Sequence, residues 1–401
     1  MQPHRPGNLA APPLWLLAMV TISGTLAMHM FVPALPDAAR ALGVGSAAVQ
    51  AAIGVYIVGL ALGQLVYGPL SDALGRRPML LAGLLLYTLG CVASMLAPSV
   101  QWLVAARLFQ ALGGCAGLAL GRAMVRDTNT PDEAVRALAL LNLMMMVGPG
   151  MAPLIGSGLV ALGGWRAVFL ALSLAALATL ALAWRRIPET GTPTGRVHLG
   201  RLLRSYVLLL RSRRFLGYAV GGGSATTSAY AFIAAAPFII TQQLGRPLRD
   251  VGIALAVIML GMALGNGLTR RLALSMRLDR LLLGGNAISV VCGLAFLALE
   301  LLGWLTLEST VGLMLLYVLG AGLASPAAMA RVLSVAPHQV GAAAGLYGFT
   351  QMALGALFTL MVGWGDNPAL AAACVQLGAA LTGQACLRFA CGRERRERRD
   401  G

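Results

Sequence analysis

Apolar runs about as long as a membrane is thick recur from one end of this chain to the other, and no other feature limits its fold as strongly. They fall at residues 14–35, 47–70, 78–97, 100–124, 135–160 and 165–184, and again at 215–241, 251–268, 281–303, 310–332, 340–363 and 367–390. One helical crossing takes about 20 apolar residues, and backbone immersed in hydrocarbon must satisfy its own hydrogen bonds, so each run predicts a membrane-spanning helix. Of the 401 residues, 58% are hydrophobic and 11% charged, against about 25% charged in a soluble domain. So few charges cannot cover a surface in water, which excludes a soluble enzyme. The expected fold is an all-α integral membrane protein of twelve transmembrane helices in two pseudo-symmetric six-helix bundles.

Polar stretches divide the chain into an N-terminal bundle over residues 1–184, a cytoplasmic linker over 185–214, a C-terminal bundle over 215–391 and a basic cytoplasmic tail over 392–401. Ala61-Leu62-Gly63-Gln64 in the second run returns as Ala263-Leu264-Gly265-Asn266 in the eighth, and both copies precede an arginine-rich loop, as two parallel repeats would require. All 30 basic residues are arginine. The two termini and alternate loops hold 25 of them, the opposite loops hold Arg40, Arg166, Arg246 and Arg249, and Arg107 lies in the fourth run. Positive charge gathers on the cytoplasmic side, so both termini are expected there. The net charge of +16 is therefore read as topology and not as nucleic-acid binding. Cys91, Cys115, Cys292, Cys374, Cys386 and Cys391 are scattered without ligand spacing and predict core side chains, with neither metal nor disulfide. The first run ends at Pro33 and Pro36 without a small-residue cleavage pattern, which predicts a retained helix and not a signal peptide.

Several residues carry chemistry beyond hydropathy. Between runs two and three stands Gly68-Pro69-Leu70-Ser71-Asp72-Ala73-Leu74-Gly75-Arg76-Arg77-Pro78. Gly68 and Gly75 permit a tight reversal, Pro78 opens the next helix, and Asp72 can pair with a base or a helix N-terminus. Arg76 and Arg77 hold the loop in the cytoplasm. Arg107 is costly inside a span unless paired or hydrated, so it is expected to face the interior; snorkelling from a shallow position near Trp102 is the competing reading. His29, within Met28-His29-Met30-Phe31-Val32-Pro33, is a side chain that can carry a proton near neutral pH. Gly148, Ala152 and Gly156 recur every four residues and allow a close helix crossing, while Pro149 and Pro153 bend the helix. Gly113-Gly117-Gly121 and Gly217-Gly221-Ala225-Ala229 repeat the spacing. Met28, Phe31, Gln110, Asn142, Thr227, Tyr230, Tyr347 and Gln351 are candidates for a substrate cavity, joined by Thr226, Ser228 and the run Met144-Met145-Met146. Methionine and aromatic walls suit substrates of varied shape, with bundle packing as the competing account of each residue.

With these motifs the chain resembles the major facilitator superfamily, whose loop between helices 2 and 3 reads G-x-L-x-D-x-x-G-R-R. Five further segments resemble the drug:proton antiporter branch and its Bcr/CflA drug-resistance group: Pro33-Ala34-Leu35-Pro36, Arg107-Leu108-Phe109-Gln110-Ala111-Leu112-Gly113, Val125-Arg126-Asp127, Trp165-Arg166-Ala167-Val168-Phe169 and Pro188-Glu189-Thr190. The resemblance implies that Gly68, Asp72, Gly75, Arg76 and Arg77 form a gating loop. It further implies that Gly148, Pro149, Pro153 and Gly156 belong to an antiporter-type helix, with Ala152 where a glycine is usual. Arg107, with Gln110 and Gly113, is implied to line a central cavity and take part in proton coupling. The similar proteins read D-M-Y-L-P-A-L-P where this chain has His29 and Phe31, so a carboxylate is missing. Either His29 takes over the titrating role, or coupling passes to Asp37, or the substrates are neutral or anionic, or His29 is structural.

The function so implied is secondary active transport, with proton-coupled export of small amphipathic compounds by alternating access. The expected partners are a small-molecule substrate, protons and membrane lipid, with no nucleic acid and no cofactor beyond the proton gradient. The expected setting is a monomer in a bacterial inner membrane. A major facilitator carrier of one metabolite, such as an amino acid or siderophore, is the alternative. An integral-membrane enzyme would need clustered carboxylates or H-E-x-x-H, and the sequence has neither.

Overall fold

The computed structural model describes residues 12–191, 193, 195, 199–273, 275–336, 339–364 and 367–400, with the side chains at 131, 132, 135, 136, 139, 142, 143, 145–147, 149, 199, 201, 202, 340 and 393–400 outside the description. The described residues form twelve long helices. They are α1 (Leu14–Leu42), α2 (Ser46–Leu74), α3 (Arg76–Met95), α4 (Val100–Thr128), α5 (131–162) and α6 (165–186), followed by α7 (Arg213–Gln243), α8 (Leu248–Leu272), α9 (Leu278–Leu301), α10 (Leu307–Val335), α11 (Val340–Val362) and α12 (Pro368–Asp400). A shorter amphipathic helix, Leu199–Arg211, lies in the linker between α6 and α7. Eleven stretches among the described residues are long and apolar enough to cross a membrane, one of which, Gly150–Arg186, takes in the end of α5 together with α6. The protein is a multi-pass membrane protein.

Local chemistry explains the interruptions. In α1 the α-helix Leu14–Phe31 gives way to the 3-10 turn Val32–Ala34 and then to Leu35–Leu42, because Pro33 and Pro36 supply no donor and disfavour a continuous helix. α5 and α6 follow one another without a loop; the chain turns at Gly163 and Gly164, the latter at φ +70° and ψ −174°, a conformation open to glycine alone. α7 is interrupted at Ser228, between Arg213–Thr227 and Ala229–Phe238, and closes on the π turn Ile239–Gln243. Some helices run past their apolar runs: α4 continues from the fourth run through Arg126 and Asp127 to Thr128, and the backbone of α12 continues over residues 392–400. A helix does not stop where apolar residues stop, because its hydrogen bonds continue while the side chains enter the polar interface.

Each half repeats one packing scheme. In the first, α4 meets α1, α2 and α3, and α3 meets α6; in the second, α10 meets α7, α8 and α9, and α9 meets α12. The tetrapeptide echo falls on equivalent places. Gly59 and Gly63 of α2 lie against Leu108, Ala111 and Cys115 of α4, and Gly261 and Gly265 of α8 lie against Leu315, Leu319 and Gly322 of α10. The halves join along two seams, α2 with α11 and α5 with α8. On the arginine-poor face the seams are tight: Gln50 Nε2 of α2 donates to the Ala234 carbonyl of α7 at 3.4 Å, and Gly252 of α8 lies against Pro153 and Ser157 of α5. The 3-10 turn Val32–Ala34 within α1 packs on α7 at the same face.

Candidate functional site

Arg107 is fully buried in the N-terminal half, which rules out snorkelling. α4 carries it beside α1 because Gly114, Gly117 and Gly121 let the two backbones close: a Cβ at these positions would meet Gly24, Val20 and Thr21 of α1. The guanidinium Nη1 donates to Gln110 Oε1 at 2.7 Å and to the Ala27 carbonyl of α1 at 3.3 Å. Three rings surround its carbon: Tyr56 of α2 at 3.9 Å, Phe31 of α1 at 5.2 Å and Phe169 of α6 at 5.7 Å from their centroids. A cation over aromatic faces gains about 0.5–2 kcal/mol where water is excluded, which offsets part of its burial cost. Nε and Nη2 have no hydrogen-bond partner, so neutral groups alone satisfy this charge among the described residues. Neighbouring α1 carbonyls accept further bonds, Gly24 from Tyr56 Oη at 2.5 Å and Ser23 from Tyr87 Oη at 2.9 Å. Phe31 and Gln110, expected in the substrate cavity, are thus wholly buried around Arg107, whereas Gly113 faces α3 at Gly83 and Tyr87.

His29 lies two residues beyond the carbonyl that Arg107 grips. It is buried, and its Nδ1 lies 2.9 Å from the Thr25 carbonyl, which requires the proton on that nitrogen. Asp37 stands elsewhere. Its Oδ2 accepts from the Trp165 amide at 2.9 Å, capping α6, and its Oδ1 receives Arg40 Nη2 at 3.2 Å. Arg166 then covers the Trp165 ring at 4.3 Å and donates to the Ala97 carbonyl at 2.9 Å, fixing the turn between α5 and α6 to the end of α3.

The motif at the arginine-rich end of α2 forms one cluster within the N-terminal half. Gly75, at φ +102°, reverses the chain into α3. Arg76 pairs with Asp72 at 2.6 Å and with Asp127 of α4 at 2.9 Å. Glu189, after α6, accepts from the Arg76 and Arg77 amides at 2.9 and 3.2 Å and so caps α3, while Arg77 Nη2 donates to the Trp184 carbonyl at 2.8 Å. Sequence reasoning singled out Asp72, Arg76 and Arg77 but assigned no role to Asp127 or Glu189, although both stand in quoted motifs. Gly68 has open space around it.

On α5, Gly148 and Gly156 lie against Ile22 and Met30 of α1, and Pro153 presents its carbonyl to Gly252 of α8. The segment therefore joins α1 on one side and the second half on the other. The side chains of Asn142 and Pro149 lie outside the described residues, as do those of Met145 and Met146. Of the remaining cavity candidates, four gather on α7 and α11. Gln351 Nε2 donates to Thr226 Oγ1 at 2.7 Å, Thr227 is buried with its hydroxyl on the Gly223 carbonyl, Tyr230 lies against Gly355 and Tyr347 against Gly222. Met28 is buried in α1. A network of which sequence reasoning named only Ser228 joins α7 to α10 and α12: Tyr317 Oη lies 2.8 Å from Ser228 Oγ and 3.1 Å from the Gln376 carbonyl.

The buried polar groups thus lie at helix crossings inside each of the two repeated halves. The chain is 31% identical over 299 residues to the multidrug transporter MdfA of Edwardsiella piscicida, covering 74% of this chain and 72% of that protein. It is 27% identical over 348 residues to the bicyclomycin resistance protein homolog of Haemophilus influenzae, covering 86% and 87% of the two. Its fold matches the crystal structure of a D-xylose-proton symporter with a TM-score of 0.70 at 14% identity, over 92% of this chain and 96% of the other. Residues 17–359 match the Major Facilitator Superfamily, and the chain belongs to that family.

Proposed function

We propose that the protein is a proton-coupled exporter of small amphipathic compounds, drugs included, that works as a monomer in a bacterial inner membrane with both termini in the cytoplasm. The relatives named for multidrug transport and bicyclomycin resistance support the substrate class. The observation that carries the reading is Arg107: a wholly buried cation, held by neutral groups, gripping α1 two residues before His29. A proton reaching His29 from the arginine-poor face would place a charge on a buried ring of α1. A buried charge without a counter-ion is costly, so protonation would favour another packing of α1 in which the ring meets water or a partner, and with it the opposite state of the two halves. Thr227, Tyr230, Tyr347 and Gln351, with Met28, form the proposed substrate walls. Gly148, Pro149, Pro153 and Gly156 form the proposed seal, and the Gly68–Arg77 loop with Asp72, Gly75 and Arg76 forms the proposed gate.

Expression in a pump-deficient bacterium is expected to lower accumulation of at least one amphipathic drug, with the effect abolished by a protonophore. Unchanged accumulation across a broad panel would defeat the exporter reading and point to a metabolite carrier. His29→Gln is expected to flatten the dependence of transport on pH in everted vesicles; a profile matching the wild type would remove His29 from coupling.

A further inference from the structure

A groove of about 680 Å³, bordering the proposed gate at Arg77, runs between α3 and α6 on the lipid-facing side of the N-terminal half. Leu81, Leu85, Leu177 and Leu180 line its length, and Arg77 and Trp184 stand at its arginine-rich end. Leu85, Leu177 and Trp184 are exposed, on a surface whose only neighbour in a bilayer is acyl chain.

The two adjacent arginines differ sharply. Arg76 is tied by Asp72 and Asp127, whereas the Arg77 guanidinium, unlike its backbone amide, has no acidic partner among the described residues and places a single bond, on the Trp184 carbonyl. A guanidinium carries five donors in a fork that matches an oxyanion, so an unpaired one at the mouth of an apolar groove suits one kind of occupant: an apolar chain that ends in a negative head. The two arginines closing α6, Arg185 and Arg186, are exposed beside Trp184 and add to the positive field at that level. Trp184 supplies the amphipathic ring characteristic of the interface between hydrocarbon and water.

From this we infer that the α3–α6 groove is a binding site for one anionic phospholipid of the leaflet on the arginine-rich side, with an acyl chain along Leu81, Leu85, Leu177 and Leu180 and the phosphate on Arg77. The bound lipid bridges the start of α3 and the end of α6, which Arg77 and Glu189 already join.

The test is quenching of Trp184 by lipids with brominated acyl chains. The protein is reconstituted in phosphatidylcholine vesicles containing a small fraction of brominated phosphatidylglycerol or, in parallel, of brominated phosphatidylcholine. The Trp184 signal is the difference between the wild type and Trp184→Phe. Half-quenching is expected at an about fivefold lower fraction of the anionic lipid, the preference that about one interfacial cation confers. Arg77→Gln is expected to remove the preference while leaving quenching itself. Ala82→Phe and Ala181→Phe, which fill the groove without touching the gate, are expected to reduce quenching by both lipids. Equal quenching by the two headgroups in the wild type overturns the proposal, and so does unchanged quenching in both groove-filling variants. Displacement of the brominated lipid by an amphipathic drug at equal mole fraction would reassign the groove to the substrate and likewise overturn it.

Discussion

Arg107 and Asp37 show how much a residue's meaning depends on what lies opposite it. A lysine in place of Arg107 keeps the charge but loses the planar fork that both stacks on Tyr56 and reaches Gln110 and Ala27. Arg107→Lys is therefore expected to lower transport by about tenfold or more with the protein still inserted, since about 1.4 kcal/mol of lost positioning suffices; vesicle transport and membrane abundance measured together check this. Asp37 looks like a titratable group at the end of α1, yet its Oδ2 caps α6 through the Trp165 amide. Asparagine caps as well as aspartate, and alanine does not. Asp37→Ala is thus expected to cost about 1 kcal/mol in thermal unfolding and Asp37→Asn almost nothing. If Asp37→Asn instead abolishes proton-driven transport at full stability, Asp37 is the coupling group. That Arg107 should face the interior was legible as the favoured reading from its place in an apolar run, because an unpaired charge facing lipid is costly; its complete burial, against snorkelling, came from the packing. Its aromatic cage was not: Tyr56 and Phe169 are ordinary aromatics in their own runs, brought together by packing alone.

Among the elements, α3 and α9 open each half's second hairpin with the same device carrying opposite signs. Arg76 at the start of α3 pairs with Asp127 at the end of α4, and Asp279 at the start of α9 pairs with Arg331 at the end of α10 at 2.6 Å. Geometry repeats while polarity does not, so the pair is needed as a tie between two helix ends and not for its direction. Arg76→Asp and Asp127→Arg are each expected to reduce membrane-inserted protein or transport, and the double exchange is expected to restore at least half of the loss. A double variant no better than the worse single would show that Arg76 acts through Asp72 instead. The extents of the helices were legible to within a turn or so from hydropathy except at the ends of α1 and α12, which run on to Leu42 and Asp400; the merging of α5 into α6 at Gly163–Gly164 and the interruption of α7 at Ser228 were not legible. Glycines and small residues in those runs read equally well as packing surface.

For the molecule as a whole, the seams decide the state. Gln50 against Ala234 and Gly252 against Pro153 and Ser157 close the arginine-poor face. In a background without the six native cysteines, Gln50→Cys with Ala234→Cys, joined by a short bifunctional cross-linker, is expected to stop transport, with recovery on cleaving the linker. Transport that survives the cross-link would mean that the two halves do not part at this face. The sequence by itself determined that the chain crosses a membrane twelve times and repeats after half its length, because both follow from hydrophobic length and spacing, which need no knowledge of neighbours. It also singled out Arg107 as a charge within a span of the first half. Tertiary structure alone decided which carboxylate caps a helix, which rings hold the buried arginine and where the halves touch. Those contacts join residues far apart in the chain, and the energy of a buried polar group is set by the few atoms that packing brings within reach of it.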